Sequence, residues 1–154
     1  NAIEEVSTVD IAIMHCVLSY PTAYEDANLL MIKDLAENFP DYEIGYSDHT
    51  KPDENMAVLT TAYNYGATIL EKHFTLDKTL QGNDHYHAMD PDDVIKFRWN
   101  VHFLSKINGM KTPAQAINSA FGPVLIKSLI FVSSPAENII KTTPISAICT
   151  INSV

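Results

Sequence analysis

The sequence predicts an α/β fold built on a parallel sheet, and three observations carry that prediction. Three short apolar runs, 10–17, 43–46 and 67–71, are each followed by a helix-length segment, the alternation that sets parallel strands side by side with helices on their faces. The first run, Asp-Ile-Ala-Ile-Met-His-Cys-Val, is apolar almost throughout, as in a strand buried on both faces. Two histidines, His49 and His73, each stand just past an apolar run with one helix-length segment between them. If those runs are parallel neighbours, both imidazoles emerge at strand carboxyl ends, where α/β folds bind ligands. Two imidazoles converging there could hold one metal ion.

Each element has its own local reason. Residues 1–9 are acidic, with Ala2, Ile3 and Val6 at helical spacing, and read as the tail of a helix that starts upstream. The first strand ends at the turn Ser19-Tyr20-Pro21-Thr22. From Asp26 to Asn38, Leu29, Leu30, Ile32 and Leu35 share one face and Lys33, Asp34 and Glu37 another, an amphipathic helix stopped by Pro40. Glu25 and Asp26 suit its N-terminus through the helix dipole. The second strand, 43–46, leads into a loop at 47–50, after which Lys51-Pro52-Asp53-Glu54 opens a helix that closes at Tyr65-Gly66.

The third strand, 67–71, is followed by a polar loop from His73 to Met89, long enough to be functional or disordered. Asp90-Pro91-Asp92-Asp93 is a strong helix start, with Asp at the cap and Pro in the first turn, and that helix runs to Asn108-Gly109. Beyond Met110 the composition shifts to Ile, Val, Thr, Ser and Pro, with short strands expected at Leu129–Val132 and Ile139–Ile140. His15, inside an apolar strand, reads as a hydrogen-bonded core histidine. His85 and His87 lie in the long loop, where they could approach a ligand but read first as surface residues, and Trp99 and Phe103 read as packing groups of the last helix.

With 154 residues, 46% of them hydrophobic, the chain has material for one domain with a sizeable core. A net charge of −9 argues against a nucleic-acid surface. The apolar run 124–132 is interrupted by Lys127 and is too short for a bilayer, and the acidic opening carries no secretory signal. Cys16 and Cys149 form no Cys-x-x-Cys pair and read as reduced thiols of a cytoplasmic protein.

Several motifs then stand in order over residues 10–110: His15-Cys16 with Tyr20-Pro21-Thr22, Gly45-Tyr46-Ser47-Asp48-His49-Thr50, Glu71-Lys72-His73-Phe74-Thr75, and Gly82-Asn83-Asp84-His85 with Met89-Asp90-Pro91. Together they resemble the sialic acid synthase family, the N-acetylneuraminate synthase type that condenses phosphoenolpyruvate with an N-acyl sugar. The tail from Lys127 to Lys141 is similar to the linker and first strand of that family's small antifreeze-like domain. The resemblance implies a partial (β/α)8 TIM barrel, the last three βα units of a fold of about 250 residues, over 1–110, with a C-terminal extension at 111–154. It implies too that the upstream lysines and glutamates of the active site are missing. An isolated chain would then be inactive, and the open edges of a part-barrel would favour a homo-oligomer.

The resemblance also assigns roles. His49 and His73 match metal-holding histidines that polarise the aldehyde of the acceptor sugar, with manganese the expected ion and magnesium an alternative. Ser47 matches a phosphate-contacting serine, and Tyr20 and Asp84 match positions that meet the sugar. All three also read as ordinary turn or loop residues. Asp48 could orient an imidazole or face the adjacent helix. Leu18 departs from the pattern, since the family commonly has Asn or Ser there and leucine donates nothing to a phosphate; Ser19 is the neighbouring hydroxyl. Two other readings stay open at this point: a noncatalytic binding or assembly module, and a metal-dependent aldolase or hydrolase on a related barrel.

Overall fold

A computed structural model of the chain describes residues 11–82 and 84–108, together with the backbone of 128–133 and 147–152. The elements run β1 (Ile11–Cys16), α1 (Leu30–Asn38), β2 (Glu43–Asp48), α2 (Ala57–Asn64), β3 (Ile69–Phe74), α3 (Pro91–Asn108), β4 (Ser128–Ser133) and β5 (Ala147–Asn152). All five strands lie in one parallel sheet in the order β4-β3-β2-β1-β5. The three consecutive βα units expected from the sequence are therefore its centre. No described helix is long and apolar enough to cross a membrane.

Alternation along the strands sorts residues between two faces. Ile13, Ile44, Tyr46 and Leu70 join Ile32, Leu59 and Phe97 in the main core under the helices. Ala12, Met14 and Ile69 make a smaller apolar cluster on the opposite, inner face. Gly45 belongs to that inner face, where a Cβ would lie 2.8 Å from the Ile69 carbonyl oxygen and 3.0 Å from the Met14 side chain. Only glycine fits so close an approach of β2 to β3.

Both strands that carry the site run further than their apolar residues suggest. β2 continues through Ser47 and Asp48, and β3 through Lys72 to Phe74, because β2 and β3 pair Ser47 with Glu71 and Asp48 with Lys72 and β3 pairs His73 and Phe74 with β4. Polar side chains there find partners within the sheet, so pairing does not stop where hydrophobicity does.

Two helix starts differ from expectation. Tyr24–Asp26 form a separate 3-10 turn, and α1 begins only at Leu30, because Asn28 takes a left-handed φ of 44° that breaks the helical path. Its buried face is Ile32 and Leu35, with Leu29 packed partly against the core, while Leu30 is exposed. Likewise α2 starts at Ala57 rather than at Pro52, after Met56 with φ 52°. The Asp53 carboxylate caps it from upstream, accepting the Ala57 N–H at 2.7 Å. The expected stop at Gly66 holds, with φ 108°.

α3 starts at Pro91 as the Asp-Pro signal requires. Its buried residues include Phe97 and Val101, but Trp99 and Phe103, expected to pack, are 68% and 60% exposed. Asn100 turns the helix this way, donating to the Asn55 carbonyl at 2.6 Å and to Thr60 Oγ1 at 3.1 Å. The expected strand at Leu129–Val132 lies within β4, whereas Ile139–Ile140 falls outside the described residues. β4 and β5 pair with β3 and β1, so the edges of the three-stranded centre that were expected to be open are closed within the chain.

Candidate functional site

The register of β2 on β3 builds the site. Ser47 lies opposite Glu71 and Asp48 opposite Lys72, and one further residue along each strand brings His49 opposite His73. Their ring centroids are 5.7 Å apart in an edge-on arrangement. Both rings thus stand at the carboxyl ends of neighbouring strands and can approach one ion.

His49 is fixed from behind. Its Nδ1–H donates to the Val17 carbonyl at 2.9 Å, with the Cys16 sulfur at 3.9 Å, which leaves Nε2 as the free ligand atom. Burial alone would lower its pKa, but the Cys16 and Val17 contacts and the charge of Glu71 outweigh that and push it upward. His73 shifts the other way. Burial lowers it, and the nearby His49 and Lys72 add to that against the opposing Glu71 and Asp84.

A short segment after β1 roofs the pair. Thr22 donates its backbone N–H to the His49 carbonyl at 2.9 Å, and the Tyr20 ring lies 4.1 Å from the His49 ring and 6.1 Å from that of His73. Tyr20 is partly exposed, so its phenol is available to a ligand. Leu18 is exposed and apolar, and the Ser19 hydroxyl donates to the Pro21 carbonyl at 3.2 Å.

Ser47 is in the strand and not in a turn, and its hydroxyl donates to the Glu71 carboxylate. Asp48 does not reach an imidazole. It pairs with the fully buried Lys72 at 2.8 Å and accepts from the Thr50 N–H at 2.9 Å and the Thr50 hydroxyl at 2.8 Å. Lys72 donates also to the Thr50 carbonyl at 2.6 Å. This knot fixes the turn that carries His49.

The long loop after β3 folds back on the site. Met89 donates its N–H to the His73 carbonyl and accepts from the Thr75 N–H, both at 2.8 Å, which extends the sheet by one isolated bridge. Stitched this way, the loop buries the two histidines expected on the surface. His85 hydrogen-bonds the Thr75 hydroxyl at 2.8 Å. His87 sits 5.0 Å ring to ring from His73, and Asp84 Oδ1 lies 3.9 Å from His73 Nδ1. His87 is fully buried, and burial with the charges of His73 and Lys72 lowers its pKa.

All five sequence-assigned residues, Tyr20, Ser47, His49, His73 and Asp84, thus belong to one end of the sheet. Two more were not singled out. Glu71 shares the strand face of His73 by its two-residue offset, a signal present in the sequence. His87 had no such signal, because only the Met89 stitch carries it inward. The donor set fits a divalent cation: His73 Nδ1 and both nitrogens of His87 are buried without a hydrogen-bond partner among the described residues, and imidazole with carboxylate suits borderline metals.

The NeuB family model matches residues 1–112. An N,N'-diacetyllegionaminic acid synthase of Legionella pneumophila is 43% identical over 106 residues, covering 68% of this chain and 29% of its own length. Among solved structures, Bacillus subtilis spore coat polysaccharide biosynthesis protein SpsE superposes with a TM-score of 0.60 at 35% identity, over 79% of this chain and 35% of that one. An N-acetylneuraminic acid synthetase of Leptospira borgpetersenii, crystallised with citrate, gives 0.57 at 34% identity, over 71% and 40%. The chain therefore spans less than a third of that curated relative, and its three βα units are part of the larger fold of these synthases.

Proposed function

This chain belongs to the NeuB family of sialic acid synthases and their relatives, and on that premise we propose that it forms the histidine-bearing part of an enzyme condensing phosphoenolpyruvate with N-acetylmannosamine or a related N-acyl sugar. The observation that carries this reading is the meeting of His49 and His73 beneath the Tyr20 ring. In the reaction the enol carbon of phosphoenolpyruvate bonds to the aldehyde carbon of the sugar. Water then captures the resulting cation and phosphate leaves.

A divalent cation held by His49 and His73, manganese or else magnesium, would supply the Lewis acidity that stabilises charge on the aldehyde oxygen. The protein's own groups do the positioning. Val17 holds the His49 ring in one tautomer, and Tyr20 and Asp84 offer a phenol and a carboxylate to the sugar hydroxyls and N-acyl group. Ser47 turns its hydroxyl from Glu71 to the phosphate. Leu18 adds no donor, so the rest of the phosphate grip falls to parts of the relatives that this chain does not span.

Calorimetric titration of manganese into the chain and into His73→Ala tests the reading. Heat is expected from the first, with binding at least about tenfold weaker in the second; equal and negligible heats would overturn it. The same preparation given phosphoenolpyruvate, N-acetylmannosamine and manganese is expected to release no burst of phosphate. A robust burst would sink the expectation that turnover needs the barrel strands of the relatives that this chain does not span.

One observation favours a second reading, a noncatalytic binding or assembly module. β4 and β5 occupy the edges of β3 and β1, where a complete barrel would continue with further strands. Negligible manganese heats would support that alternative.

A further inference from the structure

We propose that His73, Asp84 and His87 form a three-donor site for a divalent transition cation, sharing His73 with the pair described above. Three observations point to it. The ligand atoms of the three side chains all lie within 4.8 Å of one another, a spread that one cation at ordinary nitrogen and oxygen bond lengths can bridge after small side-chain rotations. His87 is 0% exposed, yet among the described residues neither of its ring nitrogens has a hydrogen-bond partner. His73 Nδ1 is buried without one among the same residues.

Buried imidazoles ordinarily find partners, because an unmade hydrogen bond in the interior forfeits the solvation the group had in water. Here the ring centroids of His87 and His73 stand 5.0 Å apart at an interplanar angle of 50° with no hydrogen bond between them, well placed for a shared third body. Asp84 Oδ1 is 3.9 Å from His73 Nδ1, also beyond a hydrogen bond. Its partly exposed carboxylate would supply the charge and leave open positions toward solvent.

The backbone makes the arrangement specific. Met89 is tied on both sides to the end of β3, which fixes His87 two residues before it against the sheet. Tyr86 donates its hydroxyl to the Tyr20 carbonyl at 3.2 Å, closing the other flank. Two imidazoles and one carboxylate form the set that divalent iron, cobalt or zinc accepts with positions to spare.

Calorimetric and visible-absorption titration with cobalt(II) alone, on the 154-residue chain, tests the site. His87→Phe keeps a ring of similar size and removes the ligand atoms; His87→Ala is the second variant, and metal-free thermal melts report whether each folds. With folding intact, His87→Phe and Asp84→Asn are expected to weaken cobalt binding by about 10- to 100-fold and to change the ligand-field bands. Loss in both His87→Phe and His49→Ala would keep His87 as a ligand and merge the two positions into one site. Loss in His49→Ala with none in His87→Phe or His87→Ala would overturn the proposal and leave the His49–His73 pair standing. Absence of cobalt binding by the wild-type chain would overturn both.

Discussion

Lys72 is the residue on which the local order of the site turns. It is wholly buried, its ammonium meets Asp48 Oδ2 at 2.8 Å and the Thr50 carbonyl at 2.6 Å, and the Tyr46 hydroxyl donates to the same carboxylate at 3.3 Å. An ion pair so enclosed is weak evidence of stability, because desolvation offsets most of the attraction. Breaking it from one side is a different matter. Lys72→Met is expected to lower stability by about 3–5 kcal/mol, since Asp48 would be left buried and uncompensated. Adding Asp48→Asn is expected to recover much of that loss, and urea unfolding of the single and double variants checks both. His15 shows the milder case: its Nε2–H donates to the Ala27 carbonyl at 2.8 Å, the satisfied core histidine that its apolar strand predicts.

At the level of elements, the N-terminus of α3 is the best-secured helix end in the described chain. The Asp93 N–H donates to Asp90 Oδ1 at 3.0 Å and the Asp90 N–H to Asp93 Oδ2 at 3.2 Å, a reciprocal capping box. Lys78 bridges both carboxylates, meeting Asp90 at 2.9 Å. Burial would raise the Asp90 pKa, but the hydrogen bonds from Lys78 and from the backbone outweigh it and hold the group below the ordinary aspartate range. Its folded value therefore lies under its unfolded one, so the stabilisation is complete above about pH 4 and fades as pH falls through the folded value. Asp90→Ala is expected to cost about 1 kcal/mol at neutral pH and to flatten the acid side of a thermal-melt profile. The same helix shows where sequence reading runs out. Val94, Phe97 and Val101 form one apolar stripe and Ile95, Trp99, Phe103 and Ile107 another, and periodicity alone does not choose between them. Asn100 chooses, through its bonds to Asn55 and Thr60, leaving the second stripe exposed.

For the whole molecule, alternating apolar runs and turn residues made the parallel α/β sheet legible, and the histidine spacing marked the strand ends where the candidate site stands. What stayed hidden depends on contacts distant in sequence: the left-handed turns at Asn28 and Met56, the fold-back through Met89 that buries His87, and the pairing of β5 with β1. That pairing also changes how copies would meet. Edge N–H and carbonyl groups drive association between sheets, and here those of β1 and β3 are already paired. Self-association must then use the outer edges of β4 and β5. Sedimentation at micromolar concentration is expected to show a dimer or larger species, and a compact monomer would remove this expectation.

Every β2–β3 partner pair is separated by the same interval of 24 residues, as Ser47 and Glu71 are, and His49 and His73 continue that count. The connector between the strands works as slack. A residue gained or lost in α2 or its turns leaves the two rings facing, whereas one inserted within either strand rolls its ring through the sheet to the helix side. Drift in length is thus harmless in the connector and fatal in the rungs.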